Sequence, residues 1–299
     1  MTPLLNKKLQ PKPCFRFLFV ISAEWCYQSQ TCDDTCKDPS RWAALFPRCG
    51  GLRQSPINIV TNKVHFSSAL PPFSFIGHTD LINITVENKG HSESVRLTGG
   101  ALPGHYRAAQ FHFHWGERGT PGSEHTIDGE RFPMELHIVH IKEPYSSLEE
   151  AEHDMAGIAL LALFFEVTTT QRSFLLPFLG STVIPNFRLS YIIPAATELH
   201  SYYRYVGSMT TPGCEQAVAW TVFHRMLSIS SRQVKSLKQC RFWTGQPMTN
   251  IFRPTQPLDG RVVYSSKSGQ CLKRNLTSPC FFNQLVIRPE LGSEKCILN

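Results

Sequence analysis

The sequence predicts a mixed, β-dominated domain: one large sheet with short helices at its edge. Three observations lead there. Proline and glycine pairs at Pro71-Pro72, Gly99-Gly100, Pro121-Gly122 and Pro212-Gly213 cut the chain into short segments, as many strands require. Apolar and polar residues alternate over Leu81–Val86, Gln110–Trp115 and Glu135–His140, while Ile158–Phe165 is a nearly continuous apolar run, as expected of a strand buried on both faces. Helical periodicity is confined to Ser147–His153, Phe174–Leu179 and Ser231–Gln239.

With 299 residues, 41% hydrophobic and 18% charged, the chain can build a core of ordinary size. A formal net charge of +7 is mild at this length, and no basic run interleaved with aromatics points to nucleic acid. It gives a weak preference for anionic surfaces or small anionic solutes; association with a membrane surface is a separate expectation. No run of 18 apolar residues exists, so no transmembrane helix is expected. At the N-terminus, Lys7, Lys8 and Lys12 precede the apolar stretch Phe15 to Ile21 and the small residues Ser22 and Ala23. That order marks residues 1–23 as an atypical signal segment, interrupted by Arg16. The domain is expected over 24–264, followed by a weakly specified tail, 265–299. The polar end of that tail does not supply a lipid-anchor signal.

Ten cysteines without CxxC pairing indicate disulfides and an oxidising compartment, hence a secreted or cell-surface protein. The sequons at Asn83-Ile84-Thr85 and Asn275-Leu276-Thr277 are compatible with glycosylation.

The chemistry concentrates in Gln110-Phe-His-Phe-His-Trp-Gly116 and Glu135-Leu-His-Ile-Val-His140. In a strand, residues two apart share a face. His112 and His114 therefore project together, while Phe111, Phe113 and Trp115 face a core. A turn-rich loop, Glu117–Asp128, permits an antiparallel return that brings in His137. Three imidazoles from two strands leave a fourth corner open, the catalytic rather than the structural zinc arrangement. Gln110 and Glu135 each lie two residues before a ligand and share its face. Each is placed to accept a hydrogen bond from a ligand ring. His140 points the other way and is excluded. A single His-x-His pair is more often two surface histidines; the third histidine and the two acceptors favour zinc.

These segments resemble the α-carbonic anhydrases, collinearly from about Glu24 to Tyr264. Gln54-Ser-Pro-Ile-Asn-Ile59, Phe111–Gly116, Ser123-Glu-His-Thr-Ile-Asp128, Glu135–His140 and Gly207-Ser-Met-Thr-Thr-Pro212 carry the resemblance. It implies the family's fold, a single domain with a central, mostly antiparallel twisted sheet. It also implies reversible hydration of carbon dioxide to bicarbonate and a proton by zinc-bound hydroxide, with inhibition by sulfonamides and anions.

By position, Thr210 would accept from the nucleophile and donate to Glu124, and Thr211 would contact bicarbonate. Val139, Leu160, Met209, Val218 and Trp220 would form an apolar wall for carbon dioxide. The family more usually has valine where Leu160 stands and leucine where Met209 stands, so a narrower pocket is expected. His91 matches the proton shuttle and Tyr27 the tyrosine that orders the connecting waters. The segment between His91 and His112 is several residues shorter than is usual, which bears on the shuttle more than on the metal. Trp25-Cys-Tyr27, Tyr203-Arg-Tyr205 and Thr211-Pro-Gly-Cys-Glu215 resemble the membrane-associated and secreted branch. That branch implies a Cys49–Cys214 bridge and a Cys26–Cys36 bridge, with Cys32 left over. Two rival readings are a weakly active or inactive carbonic-anhydrase-like binding domain and a broad zinc esterase. Retention of all three ligands, Glu124 and Thr210 argues against the first.

Overall fold

The structure, a computed structural model, describes residues 25–27, 37–85, 95–117, 120–169, 183–237 and 247–267. The expectations for residues 1–23, His91, Cys36, Phe174–Leu179, Asn275 and the chain after 267 lie outside the described residues.

In chain order the first strands are β1 (Asn58–Ile59), β2 (His65–Phe66), β3 (Phe73–Ile76), β4 (Ile82–Thr85) and β5 (Arg96–Gly99). Then come β6 (Tyr106–Trp115), β7 (Thr126–Ile127), β8 (Glu130–Arg131), β9 (Met134–Lys142) and β10 (Ile158–Thr168). The last are β11 (Val183–Phe187), β12 (Tyr202–Gly207), β13 (Val218–Phe223), β14 (Leu227–Ser230) and β15 (Tyr264–Ser265). The helices are short: α1 (Trp42–Leu45), α2 (Leu148–Ala151) and α3 (Ser231–Leu237). The expected strands and two of the expected helices are present at their predicted places. Strand β15 spans Tyr264–Ser265, at the expected boundary of the domain and tail.

Ten strands form one sheet in the order β2-β15-β12-β13-β10-β9-β6-β5-β3, with β14 also paired to β10. Most ladders are antiparallel; β10 runs parallel to β13 and β14, and β15 to β2. Strands β1, β7 and β8 make a small sheet, and β4 pairs with β11.

Strand parity divides the large sheet into two chemically different faces. Phe113, Trp115, Leu136, Ile138, Leu161 and Leu163 point into the main apolar core. The central strand β10 is buried from Ile158 to Phe165, which accounts for its unbroken apolar sequence. Removing one of these large side chains from water contributes about 2–3 kcal/mol. At the sheet's edge, Ser147 caps α2 by accepting from the Glu150 backbone N–H, satisfying one of the first-turn donors.

His140 points into this core, as excluding it as a ligand required. It lies near His78, their rings 6.4 Å apart. Each Nδ1 donates to a carbonyl two residues back, Ile138 and Ile76, and each Nε2 is buried without a partner. Burial pushes His78 down from 6.5 to about 4 and His140 to about 3. Asp80 favours the charged form of His78 but does not offset burial. Because these folded-state values lie below the unfolded one, the unfolded chain binds protons that the folded chain resists. The corresponding stability is full above about pH 6.5 and falls as pH drops toward 4. His140→Leu should therefore flatten the decline of the urea midpoint of metal-free protein between about pH 6.5 and 4.5. A decline as steep as that of wild type would contradict this assignment.

Candidate metal centre

His112 on β6 stands directly opposite His137 on β9, and His114 opposite Glu135. The antiparallel return expected from the loop thus brings all three imidazoles to one face. Their ring centroids are 5.1 Å apart for His112 and His114, 5.2 Å for His112 and His137, and 4.5 Å for His114 and His137. One nitrogen from each lies within 4.8 Å of the others.

The hydrogen bonds identify which nitrogens are free to ligate. His114 Nδ1 lies 2.7 Å from the Ile251 carbonyl, to which it donates. Its Nε2 is therefore bare. His137 Nε2 donates to Glu135 Oε1 at 2.8 Å, leaving Nδ1 bare. These two nitrogens face each other at 3.0 Å. Two lone pairs so close need a proton or a cation between them. Burial lowers the pKa of all three histidines, His114 to about 4, and so favours the neutral rings that bind metal. Three neutral imidazoles fit a zinc-like ion and leave a coordination position open. A second cluster, His125, Glu135 and His137, also comes together, but Glu135 is already saturated with donors.

Those donors make Glu135 the anchor of the site. Oε1 receives His137 Nε2 and His125 Nδ1, the latter at 2.6 Å. Oε2 receives the backbone N–H groups of Glu124 at 2.7 Å and His125 at 2.8 Å. Burial alone would raise this carboxyl; the imidazoles of His125 and His137 and their hydrogen bonds hold it well below the usual range. From His125 Nε2 the chain of contacts continues to the Tyr205 hydroxyl at 2.7 Å and on to Ser55 Oγ at 2.8 Å. Ser55 and Ser208 then exchange hydrogen bonds, each backbone N–H donating to the other's hydroxyl at 3.0 Å.

Ser208 opens the loop that carries Met209, Thr210 and Thr211. Trp220 Nε1 donates to the Ser208 carbonyl at 2.9 Å. The Met209 N–H donates to Glu215 O at 3.0 Å, and the Cys214 N–H to Thr211 O at 2.9 Å. The predicted Cys49–Cys214 bridge is formed and fastens this loop to the start of the domain. Cys26 is also disulfide-bonded; its expected partner is outside the described residues.

Glu124 is fully buried. Its Oε1 accepts the Arg253 N–H at 2.7 Å. Its Oε2 lies 3.5 Å from His114 Nε2 and 3.9 Å from His137 Nδ1, yet closes no hydrogen bond. Burial pushes this carboxyl up to about 7 against the opposing influence of His137, the Arg253 N–H and Thr210. Tyr27 is buried in an edge-to-face cluster with Trp25 and Trp42, with centroids 5.6 and 6.0 Å away. Burial and the nearby Glu124 raise its pKa well above the usual tyrosine value.

The apolar residues of the expected wall follow the register. Val139, Leu160 and Trp220 are consecutive partners across β9, β10 and β13, two residues along from His137. Val218 shares the β13 face with Trp220 by parity, and all four are buried. Met209 and Thr211 are half-buried. A β-bulge falls between Ala108 and Gln110 in the pairing with β9, and Gln110 is exposed.

Sequence reasoning missed Ile251 and Arg253. One holds His114 by a carbonyl and the other holds Glu124 by an N–H. Arg253 also donates from its guanidinium to Gln54 Oε1, Ser55 O and Cys49 O. Backbone partners more than 120 residues away leave no local motif to find.

A scan against protein-family models matches the eukaryotic-type carbonic anhydrase family over residues 37–267. Carbonic anhydrase 15 of Mus musculus is 37% identical over 295 residues, covering 89% of this chain and 90% of that one. Carbonic anhydrase 4 of Oryctolagus cuniculus is 36% identical over 269 residues, covering 83% and 86%. Carbonic anhydrase 7 of Homo sapiens is 36% identical over 251 residues, covering 76% and 94%.

Two outcomes follow from this geometry. Glu135→Ala removes the acceptor of His137 Nε2 and His125 Nδ1, and metal affinity measured by competition with a chelator should fall about 10- to 100-fold. Unchanged affinity would remove Glu135 from its anchoring role. The Cys49–Cys214 bridge spans 165 residues. In the chain-entropy model, Cys49→Ser with Cys214→Ser should lower the unfolding free energy by up to about 5 kcal/mol. A denaturation midpoint equal to that of wild type would show that the bridge does not constrain the unfolded chain.

Proposed function

Since the chain belongs to the eukaryotic-type carbonic anhydrase family, and is a carbonic anhydrase by that membership, we propose that it hydrates carbon dioxide reversibly with zinc held by His112, His114 and His137. The observation that carries this reading is the pair of bare nitrogens, His114 Nε2 and His137 Nδ1, 3.0 Å apart in a buried triad of neutral rings. A bound zinc ion supplies a Lewis acid strong enough to make a water molecule acidic near neutral pH.

The chain's own groups supply the rest. Glu124, held at Oε1 by Arg253, keeps Oε2 available to accept the Thr210 hydroxyl proton. A hydroxyl that has donated offers only lone pairs to its other neighbour. Thr210 therefore accepts a hydrogen bond from an attacking oxygen that still carries one hydrogen, and aims that oxygen's lone pair. It equally favours inhibitors that donate there, such as sulfonamides. Val139, Leu160, Val218 and Trp220, with Met209, give carbon dioxide an apolar wall that cannot compete for it by hydrogen bonding. The bulk of Leu160 narrows that wall. Thr211 contacts bicarbonate at the more open side. Tyr27 orders water toward His91, which accepts the released proton and passes it to buffer.

The disulfides support a secreted or cell-surface location. Asn83, in the first sequon, is exposed on β4, as glycosylation requires. No helix among the described residues is long and apolar enough to cross a membrane.

Metal analysis should find one zinc per chain, and stopped-flow measurements should show carbon dioxide hydration that His137→Ala abolishes. Substoichiometric zinc after supplementation, or full activity in that variant, would sink the proposal. His91→Ala should lower kcat while leaving kcat/KM nearly intact, with imidazole restoring much of the loss. Unchanged kcat at low buffer would remove His91 from the mechanism and leave the zinc chemistry standing.

A further inference from the structure

The segment 251–253 grips the site twice. Ile251 O accepts from His114 Nδ1, and the Arg253 N–H donates to Glu124 Oε1, both at 2.7 Å. This segment lies in no strand; the Ile251 N–H reaches Trp115 O at 3.0 Å, and the next backbone tie is Gln256 N–H to Pro56 O at 2.7 Å. A ladder of regular hydrogen bonds therefore does not fix its register against residues 123–124. A side chain bridges the two. Arg131, on β8, donates from Nη1 to the carbonyl of Ser123 and, at 3.4 Å, to that of Glu124. Its guanidinium also lies over the Phe252 ring, 4.3 Å from the centroid. Phe252 sits between the two gripping residues.

We propose that Arg131 is a positioning residue: clamped between the Ser123–Glu124 backbone and Phe252, it sets the segment that aims His114 and Glu124. A planar guanidinium suits this task, since its edge donates to carbonyls while its face stacks on an aromatic ring. Lysine offers the charge without the plane. The inference rests on the reading of His114 as a zinc ligand and Glu124 as the carboxylate behind Thr210. Arg131 touches neither substrate nor metal, so it acts only through those two residues.

The test uses the full zinc-loaded chain and the variants Arg131→Met, Arg131→Lys and Phe252→Leu. Zinc release into excess chelator should be about tenfold faster in Arg131→Met, the lower end of the range for partners one layer behind a ligand. Arg131→Lys should recover only part of this, and Phe252→Leu should fall between Arg131→Met and wild type. In hydration, Arg131→Met should lower kcat/KM by a similar factor. That loss should shrink when Glu124 is already Gln, leaving only the part carried through His114, because residues acting through one another are not additive. A merely structural residue would lower both backgrounds alike. Zinc release within about twofold of wild type in both Arg131→Met and Phe252→Leu would overturn the proposal. So would a loss in kcat/KM that persists undiminished beside Glu124→Gln. If Arg131→Met does not fold, the other two variants carry the same comparison. Absence of hydration by wild type would defeat the functional reading, while zinc release would still decide the role of Arg131.

Discussion

The site depends on one fully buried carboxylate. Glu135 is placed opposite His114 and two residues before His137 on the same strand. An ionised carboxylate in an apolar interior is costly unless every lone pair is used. Here four donors use them: two imidazoles and two consecutive backbone N–H groups. Those donors also fix the tautomers of His137 and His125. A ring whose one nitrogen must donate has the other bare, which is the state that binds metal. Both backbone donors belong to Glu124 and His125, so the same carboxylate fixes the turn that places Glu124.

The constraint spreads outward from there. His125 passes it to Tyr205, Tyr205 to Ser55, and Ser55 to Ser208, where the Thr210 loop begins. The disulfide at Cys214 and the Trp220 bond to Ser208 fasten the same loop from its other side. Thr210 is thus held by strands far apart in sequence. Buried polar networks of this kind are stable only when nearly complete. Glu124 Oε2 is the conspicuous gap, an acceptor facing two bare nitrogens with no donor of its own. A carboxylate with an unused lone pair beside a metal triad is placed to take a proton or a hydrogen bond, whereas Glu135 has no capacity left.

Parity made much of this legible from the sequence. His112, His114, His137 and Glu135 follow from the two-residue repeat, because a strand presents alternate residues to one face whatever its neighbours do. The same rule sent His140 into the core. The bulge between Ala108 and Gln110 was not legible, because bulges leave no dependable mark in a single sequence. Ile251 and Arg253 were invisible for a different reason. Toward His114 and Glu124 they act through backbone atoms, which every residue possesses, so those two contacts carry no residue signature. The Cys49–Cys214 pairing came from resemblance; ten cysteines allow too many pairings for composition to choose among them.

The sheet's geometry explains why a greasy wall can stand beside a charged centre. Residues opposite one another across paired strands share a face, so each register row runs across the sheet as a stripe. One row carries His112 and His137 and continues through Ala162 to Val222. Two residues along, on the same face, a row carries Gln110 at one end and then Val139, Leu160 and Trp220. Chemistry changes from metal-binding to apolar within two residues along the strand and also on moving across it. The rows are fixed by backbone hydrogen bonds, not by the side chains they present. A change of side chain in the row of Val139, Leu160 and Trp220 therefore leaves the strand positions of His112 and His137 fixed, because the ladder separates the two rows.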